Sequence, residues 1–142
     1  MVSRIIPVEP FDLVIFGGTG DLARRKILPG LFRRFCAGQM PDRAQIIGAA
    51  RGELDDARYR TLIAEAIIEF AKPSAEDHAQ IEGFLKHLAF VSIDAKGTRG
   101  WEALESLLRD DVVRAFYFSV APALFGGLAE QLHSHGLVDN NS

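Results

Sequence analysis

Hydrophobic positions along this chain follow two periods, one typical of buried strands and one typical of amphipathic helices. Four short apolar runs, at residues 13–16, 44–50, 88–93 and 112–120, are predicted to form strands. Apolar residues that recur every three or four positions predict helices over 21–38, 55–71, 74–85, 100–109 and 123–135. Strands that alternate with helices favour an α/β fold, a Rossmann-like doubly wound parallel sheet with its ligand crevice at the carboxyl ends of the strands.

The predicted helices carry their own start and stop signals. Pro29 predicts a kink in the first turns of the first helix, Gly38 its end, and Pro73 the end of the second helix. Ser74, followed by Glu76 and Asp77, is typical of an N-cap that opens the third helix.

Composition and charge are those of one ordinary globular domain. The chain has 142 residues, 48% of them hydrophobic and 25% charged, with a net charge of −3. The basic residues form no stripe and the aromatic residues do not interleave with them, so no nucleic-acid partner is expected. No apolar run approaches the ~20 residues of a membrane span. We therefore expect a cytoplasmic protein with no membrane partner.

The most informative segment directly follows the first predicted strand. Gly17, Gly20 and Ala23 have the spacing G-x-x-G-x-x-A, which is typical of the tight turn where Rossmann proteins hold a dinucleotide pyrophosphate. Tight turns that bind no ligand use glycine as well, so the spacing alone leaves both interpretations open. Asp21 would repel a phosphate, and it is therefore predicted to cap the helix by accepting backbone N–H bonds.

Three cations, Arg24, Arg25 and Lys26, come next in the sequence. Consecutive helical residues project roughly 100° apart, so at most one or two of them face the same ligand. A solvated basic face is the alternative for the two arginines.

Further candidates lie at the ends of the later strands. Arg51 follows the second strand, where an acidic residue suits the ribose 2′-hydroxyl of NAD and an arginine suits the 2′-phosphate of NADP. Glu53 is able to bond a ribose hydroxyl, which keeps NAD use open. Asp94, after the third strand, either contacts the adenine or begins a loop, and Tyr117, in the fourth strand, is expected in the core.

The run GGTGDLARRKILP at residues 17–29 resembles the N-terminal fingerprint of the glucose-6-phosphate dehydrogenases. The segments IGAAR at 47–51 and RAFYFSVAP at 114–122 are similar to the family's second strand, which ends in arginine, and to its fourth strand and following turn. The resemblance covers nearly the whole chain. It implies NADP as the cofactor, with contacts at Gly17, Gly18, Thr19, Gly20, Asp21, Leu22, Arg51, Asp94, Ala121 and Pro122.

The same resemblance places the turn at Ala121 and Pro122 near the nicotinamide ring, and Lys26 close to both coenzyme and substrate. It implies hydride transfer from C1 of glucose 6-phosphate to NADP, giving 6-phosphogluconolactone in the oxidative pentose phosphate pathway, with a histidine as the base. The family's Arg-Ile-Asp-His-Tyr base motif and its Glu-Lys-Pro substrate segment are absent from this sequence. No catalytic residue is therefore assigned.

Residues 1–142 are accordingly expected to form a single dinucleotide-binding domain that lacks the larger C-terminal domain for substrate and dimerisation. The resemblance implies that the intact enzyme is a homo-oligomer that binds glucose 6-phosphate, whereas this chain alone is expected to be inactive. A free-standing NAD(P)-binding sensor or regulatory module remains the alternative, and it would bind NADPH tightly.

Other kinds of chemistry find less support in the sequence. Short-chain dehydrogenases have a similar glycine turn but need a Tyr-x-x-x-Lys pair, and neither Tyr59 nor Tyr117 has a lysine four residues later. Cys36, the only cysteine, is predicted to be a buried small side chain. The four histidines lie on predicted helices or at a helix–strand junction, and their spacing predicts no metal site.

Overall fold

The four predicted strands form one parallel sheet. A computed structural model describes residues 9–94, 97 and 99–138 of the chain. Its strands are β1 (Phe11–Phe16), β2 (Gln45–Ala50), β3 (Leu88–Ser92) and β4 (Val113–Phe118), and they lie in the order β3-β2-β1-β4. All three neighbouring pairs are parallel. The predicted Rossmann-like α/β fold is confirmed.

Six helices in the described part of the chain connect and cover these strands. They are α1 (Leu28–Cys36), α2 (Asp56–Ala66), α3 (Ala75–His78), α4 (Ile81–Leu85), α5 (Trp101–Leu107) and α6 (Phe125–Ser134). A π-helical turn (Ala23–Ile27) leads into α1, another (Ile67–Ala71) continues α2, and a 3₁₀ turn (Pro122–Leu124) precedes α6. Within the described ranges, no helix is long and apolar enough to cross a membrane.

Two helices differ from the prediction for local reasons. The change from π-helical to α-helical hydrogen bonding falls beside Pro29, where the missing N–H removes a helical donor. The segment after Ser74 forms two short helices instead of one, because the N–H of Gln80 bonds to the carbonyl of Asp77, only three residues back. The predicted cap is confirmed, since the Ser74 hydroxyl accepts the N–H of Asp77 at 3.1 Å.

Helices pack against both faces of the sheet. One apolar cluster joins the sheet to α5 and α6 and includes Val14, Phe16, Ile47, Trp101, Leu104 and Leu128. A second joins the opposite face to α1, α2 and α4 and includes Ile15, Ile46, Phe32, Ile63 and Phe84. Burial of each large apolar side chain contributes about 1.5–3 kcal/mol. The two layers leave the ends of the strands as the places where a ligand reaches the sheet.

The two edge strands differ in how they are covered. At the outer edge of β3, the Asp56 carboxylate accepts the N–H of Phe90 at 2.8 Å, and the Arg60 guanidinium donates to the carbonyl of Leu88 at 2.9 Å. On β4, Tyr117 is 44% exposed, so its predicted core position is wrong. Ala115, two residues earlier on the same face of β4, is exposed as well, and neither residue belongs to an apolar cluster, so this face of β4 lies outside the core.

Candidate functional site

A cavity of about 540 Å³ opens at the carboxyl ends of all four strands. Its wall is formed by the residues that end or follow each strand together with one side of α6: Phe16, Gly17, Thr19, Ala49, Ala50, Arg51, Gly52, Ile93, Asp94, Val120, Ala121, Leu124 and Leu128. The chain moves from β1 to β2 and β3 on one side and returns to β4 on the other. Ligands of open α/β sheets bind at such a switch point.

The turn after β1 fits its place only because it is built of glycine. Gly17 has a φ of +81°, and a Cβ there would collide with the backbone carbonyl of Ser119. A Cβ on Gly18 would lie 2.8 Å from the Cα of Gly48 on the neighbouring strand. The backbone of the turn therefore lies directly against β2 and the segment after β4, closer than any side chain permits.

The carbonyl groups of the turn are all held by donors from the protein. The carbonyl of Gly17 accepts the N–H of Gly20 at 3.0 Å, and the carbonyl of Gly18 accepts the Tyr59 hydroxyl at 2.9 Å. The carbonyls of Thr19 and Gly20 accept the guanidinium and the backbone N–H of Arg24, both at 3.0 Å. The N–H of Thr19 has no hydrogen-bond partner among the residues that the structure describes. The turn thus directs its negative ends into the protein and leaves a donor for an anion.

Asp21 does not cap the following helix, so that prediction is wrong. Its carboxylate is 74% exposed and lies 3.3 Å from the Arg24 guanidinium and 3.5 Å from that of Arg25. The arginines are three and four residues further on, which places both on the same side of the helix as the carboxylate. Their positive charges offset the repulsion that Asp21 would otherwise exert on an anion at the turn.

Arg51 is anchored by its backbone and open at its side chain. Its carbonyl accepts the Ser92 hydroxyl at 3.2 Å and the Arg99 guanidinium at 3.1 Å. Its guanidinium is exposed, lines the cavity and has no hydrogen bond or ion pair with any described residue. Glu53 is exposed and does not line the cavity. The cavity therefore holds a positioned cation that is not neutralised by a carboxylate of the described chain.

Asp94 stands at the start of an anchored loop. It is half-buried and lines the cavity, its N–H bonds to the carbonyl of Arg99 at 3.1 Å, and its own carbonyl accepts the Trp101 indole N–H at 3.2 Å. Ala121 lines the cavity as well, whereas Pro122 is exposed at the start of the 3₁₀ turn and lies outside the wall.

The cavity brings together five of the residues predicted from the sequence: Gly17, Thr19, Arg51, Asp94 and Ala121. Gly18 and Gly20 shape the turn without lining the cavity, and Asp21, Leu22 and Lys26 are exposed outside its wall. Sequence reasoning missed Tyr59, which bonds to the turn. No local signal marks it, because it lies 41 residues from its partner Gly18.

Side chains with other reactive groups lie elsewhere. Cys36 is half-buried rather than buried, and burial, together with the nearby Asp77, raises the pKa of its thiol and so lowers the fraction present as the reactive thiolate. The Nδ1 of His87 lies 2.7 Å from the carbonyl of Ala44, which gives this ring a structural partner. In residues 9–94, 97 and 99–138, no group of three or more possible ligands is arranged to hold a metal ion.

Comparison with known proteins agrees with this geometry. Residues 14–142 match the family described as glucose-6-phosphate dehydrogenase, NAD binding domain. The chain is 45% identical over 144 residues to glucose-6-phosphate 1-dehydrogenase of Rhizobium meliloti (strain 1021), covering 100% of this chain and 29% of that protein. It is 44% identical over 140 residues to the enzyme of the same name from Gluconobacter oxydans (strain 621H), covering 95% and 28%.

The fold is similar as well. The crystal structure of glucose-6-phosphate 1-dehydrogenase from Mycobacterium avium superposes with a TM-score of 0.82 at 26% identity, over 92% of this chain and 28% of that one. The chain thus spans less than a third of the length of the relatives that it matches. The glycine turn and the parallel sheet agree with this match, and the match over residues 14–142 shows that the chain belongs to the glucose-6-phosphate dehydrogenase family, in the part described as its NAD binding domain.

Proposed function

We propose that this chain binds NADP as the coenzyme domain of an NADP-dependent glucose-6-phosphate dehydrogenase. The observation that carries the proposal is a pair of unpartnered donors on two residues that line one cavity, the N–H of Thr19 and the guanidinium of Arg51. They follow β1 and β2, which are adjacent strands. Two anion-binding groups at neighbouring strand ends suit a ligand with two separate phosphate groups, as NADP has in its pyrophosphate and its 2′-phosphate.

The pyrophosphate is assigned to the turn at residues 17–20 and the helix start at Asp21 and Leu22. The first turn of a helix has N–H groups without intrahelical acceptors, and its dipole favours an anion. The inward direction of the turn's carbonyls removes the backbone groups that would repel a phosphate. The close packing of Gly17 and Gly18 against neighbouring backbone fixes the path of the turn before any ligand arrives.

The 2′-phosphate is assigned to Arg51. An arginine forms charge-assisted, often bidentate bonds with a phosphate, each stronger than a bond between neutral groups. Because the Arg51 backbone is already fixed by Ser92 and Arg99, binding orders only the side chain. NAD lacks the 2′-phosphate, so its affinity should depend little on this guanidinium.

The other predicted residues take the remaining parts of the ligand. We assign Asp94 to the adenosine end and the turn at Ala121 and Pro122 to the nicotinamide end, where a small side chain leaves room for the ring. The apolar wall at Ile93, Leu124 and Leu128 suits the faces of flat rings. Lys26 is assigned a position close to the substrate.

The proposed reaction is oxidation of glucose 6-phosphate at C1 to 6-phosphogluconolactone. NADP, when bound, supplies the hydride acceptor. The residues of this chain bind the coenzyme and set its orientation, whereas proton removal and most sugar-phosphate contacts are assigned to the remainder of a longer, homo-oligomeric enzyme. This chain alone is therefore expected to bind NADP weakly and to catalyse no turnover.

Substitution of Arg51 tests the proposal most directly. Arg51→Gln should weaken NADP binding by about tenfold to a hundredfold, the effect of losing a charge-assisted hydrogen bond, and should leave NAD binding almost unchanged. Protein-detected NMR titration with each dinucleotide measures both dissociation constants even when they are millimolar. The free energy of unfolding should stay within ~0.5 kcal/mol of wild type, because the Arg51 side chain forms no hydrogen bond or ion pair with any described residue.

Arg58→Gln is the matched control. Arg58 is exposed on α2 and does not line the cavity, so the same loss of charge there should leave both affinities unchanged. An equal effect of Arg51→Gln on NADP and NAD would contradict the 2′-phosphate assignment. If neither dinucleotide binds, the proposed coenzyme site in this chain is contradicted. Tight binding of NADP by this chain alone would favour the alternative of a free-standing sensor module.

A further inference from the structure

Tyr59 lies beneath the glycine turn, in the first half of α2. Its side chain is completely buried, and its ring lies 5.2 Å from that of Phe90. The ring also lies directly over Gly48, where a Cβ would collide with it. A tyrosine in this place is held on several sides by packing, so the position of its hydroxyl group is fixed by the core.

The hydroxyl group has one described partner, the carbonyl of Gly18, at 2.9 Å. This carbonyl and the N–H of Thr19 belong to the same peptide group, and the described chain contains no cis peptide bond. In a trans peptide the C=O and the N–H point in opposite directions. When Tyr59 holds the carbonyl towards the core, the Thr19 N–H is directed away from the core. Thr19 is one of the residues that line the cavity.

The alternative orientation of this peptide would spoil the anion site. A flip would replace the Thr19 N–H by the Gly18 carbonyl, whose negative end repels a phosphate. Gly18 has no side chain that resists such a rotation, because glycine is sterically permissive. The hydrogen bond from Tyr59 is the described contact that favours one orientation over the other.

We propose that Tyr59 is a positioning residue for the anion site, which holds the Gly18–Thr19 peptide in the orientation that presents the Thr19 N–H to the pyrophosphate. The inference rests on the proposed binding of NADP at this turn. Burial raises the pKa of the Tyr59 hydroxyl above its ordinary value. The group therefore remains protonated, and a donor, at any pH at which the protein is used.

Tyr59→Phe removes the hydroxyl and keeps the ring. A net hydrogen bond of this kind stabilises one orientation modestly, so we expect NADP to bind about threefold to tenfold more weakly. Adenosine 2′-phosphate, which lacks the pyrophosphate, should bind to Tyr59→Phe as it does to wild type. Arg51→Gln should weaken both ligands. Protein-detected NMR titration of the folded variants measures affinity independently of stability. In the ligand-free protein, hydrogen exchange of the Thr19 amide should differ between Tyr59→Phe and wild type.

Tyr117→Phe is the control, since this tyrosine is exposed on β4 and has no hydrogen bond among the described residues. It should leave both affinities and the Thr19 amide unchanged. Wild-type affinity for NADP in Tyr59→Phe would overturn the inference and leave the proposed function intact. If wild type binds neither ligand, the proposed function fails, and unchanged exchange at Thr19 would then overturn the positioning role independently.

Discussion

The two ends of the sheet use charged residues in opposite ways. At the amino end, the completely buried Asp12 accepts four hydrogen bonds, from the Arg109 Nη2 at 2.7 Å, its Nε at 3.0 Å, its backbone N–H at 2.7 Å and the Gln45 amide at 3.0 Å. At the carboxyl end, the guanidinium of Arg51 is exposed and bonds to no described residue. The first arginine is committed to the fold, whereas the second is available to a ligand.

Cavity volume does not distinguish these ends. A second cavity, also of about 540 Å³, lies beside the start of β2 and β3, and its wall contains Asp56, Arg60 and Arg109. Each of these side chains bonds to the protein itself. Asp42 and Lys86 in the second wall also have no described partner, so neither volume nor a single unpaired charge separates the two cavities. What distinguishes the candidate site is the glycine turn, whose Thr19 N–H has no described acceptor, beside the exposed Arg51 guanidinium.

Removal of Asp12 should have the largest effect. Asp12→Ala leaves the partly buried Arg109 without its carboxylate, and loss of one partner of a buried ion pair costs about 3–5 kcal/mol. Urea unfolding measures the loss, and the NADP affinity of the folded protein should not change. Asp42→Ala, at an exposed position, is the control and should be neutral. If Asp12→Ala lowers the free energy of unfolding by less than ~1 kcal/mol, the charged residues at the amino end of the sheet do not serve mainly to stabilise the fold.

A methyl group at Gly48 should have the next largest effect and should act on the carboxyl end. The added Cβ meets the buried Tyr59 ring, and overpacking of this kind costs about 1–3 kcal/mol. Because displacement of Tyr59 disturbs the turn, Gly48→Ala should also weaken NADP binding in the NMR titration. Gly52→Ala, where nothing lies within 4 Å of the added Cβ, should change stability little. Equal free energies of unfolding for the two variants would contradict the close packing of Tyr59 on Gly48.

The exposed pair of Arg43 and Asp111, 2.8 Å apart, should show the smallest effect. The hydrogen bond from Arg43 holds the pKa of Asp111 below its ordinary value. A lowered pKa in the folded state stabilises the fold above the unfolded pKa, and this contribution is lost as the pH falls through the folded value. Asp111→Asn should therefore be slightly less stable than wild type at neutral pH, and urea unfolding at a series of pH values should show the two converging in acid. A difference that persists in acid would show that the effect is not electrostatic.

The sequence predicts what is encoded locally. The four strands follow from apolar runs, and Gly17 and Arg51 follow from their distance to the ends of those strands. Contacts between distant segments are not encoded in this way. The pairing of Asp12 with Arg109 and of Tyr59 with Gly18 joins residues 97 and 41 positions apart. The prediction that Asp21 caps the helix is wrong for a different reason: two arginines one turn away bind its carboxylate instead.

The strand order also determines when each strand can pair during synthesis of the chain. β1 is a central strand, and its outer partner is β4, with Phe11 opposite Val113. At about 5–20 residues per second, β4 leaves the ribosome roughly 5–20 s after β1. During that interval one side of β1 has no partner strand, and its apolar residues are open to wrong contacts with other nascent chains. We therefore expect protection of β1 until β4 has been synthesised to favour correct folding of the domain.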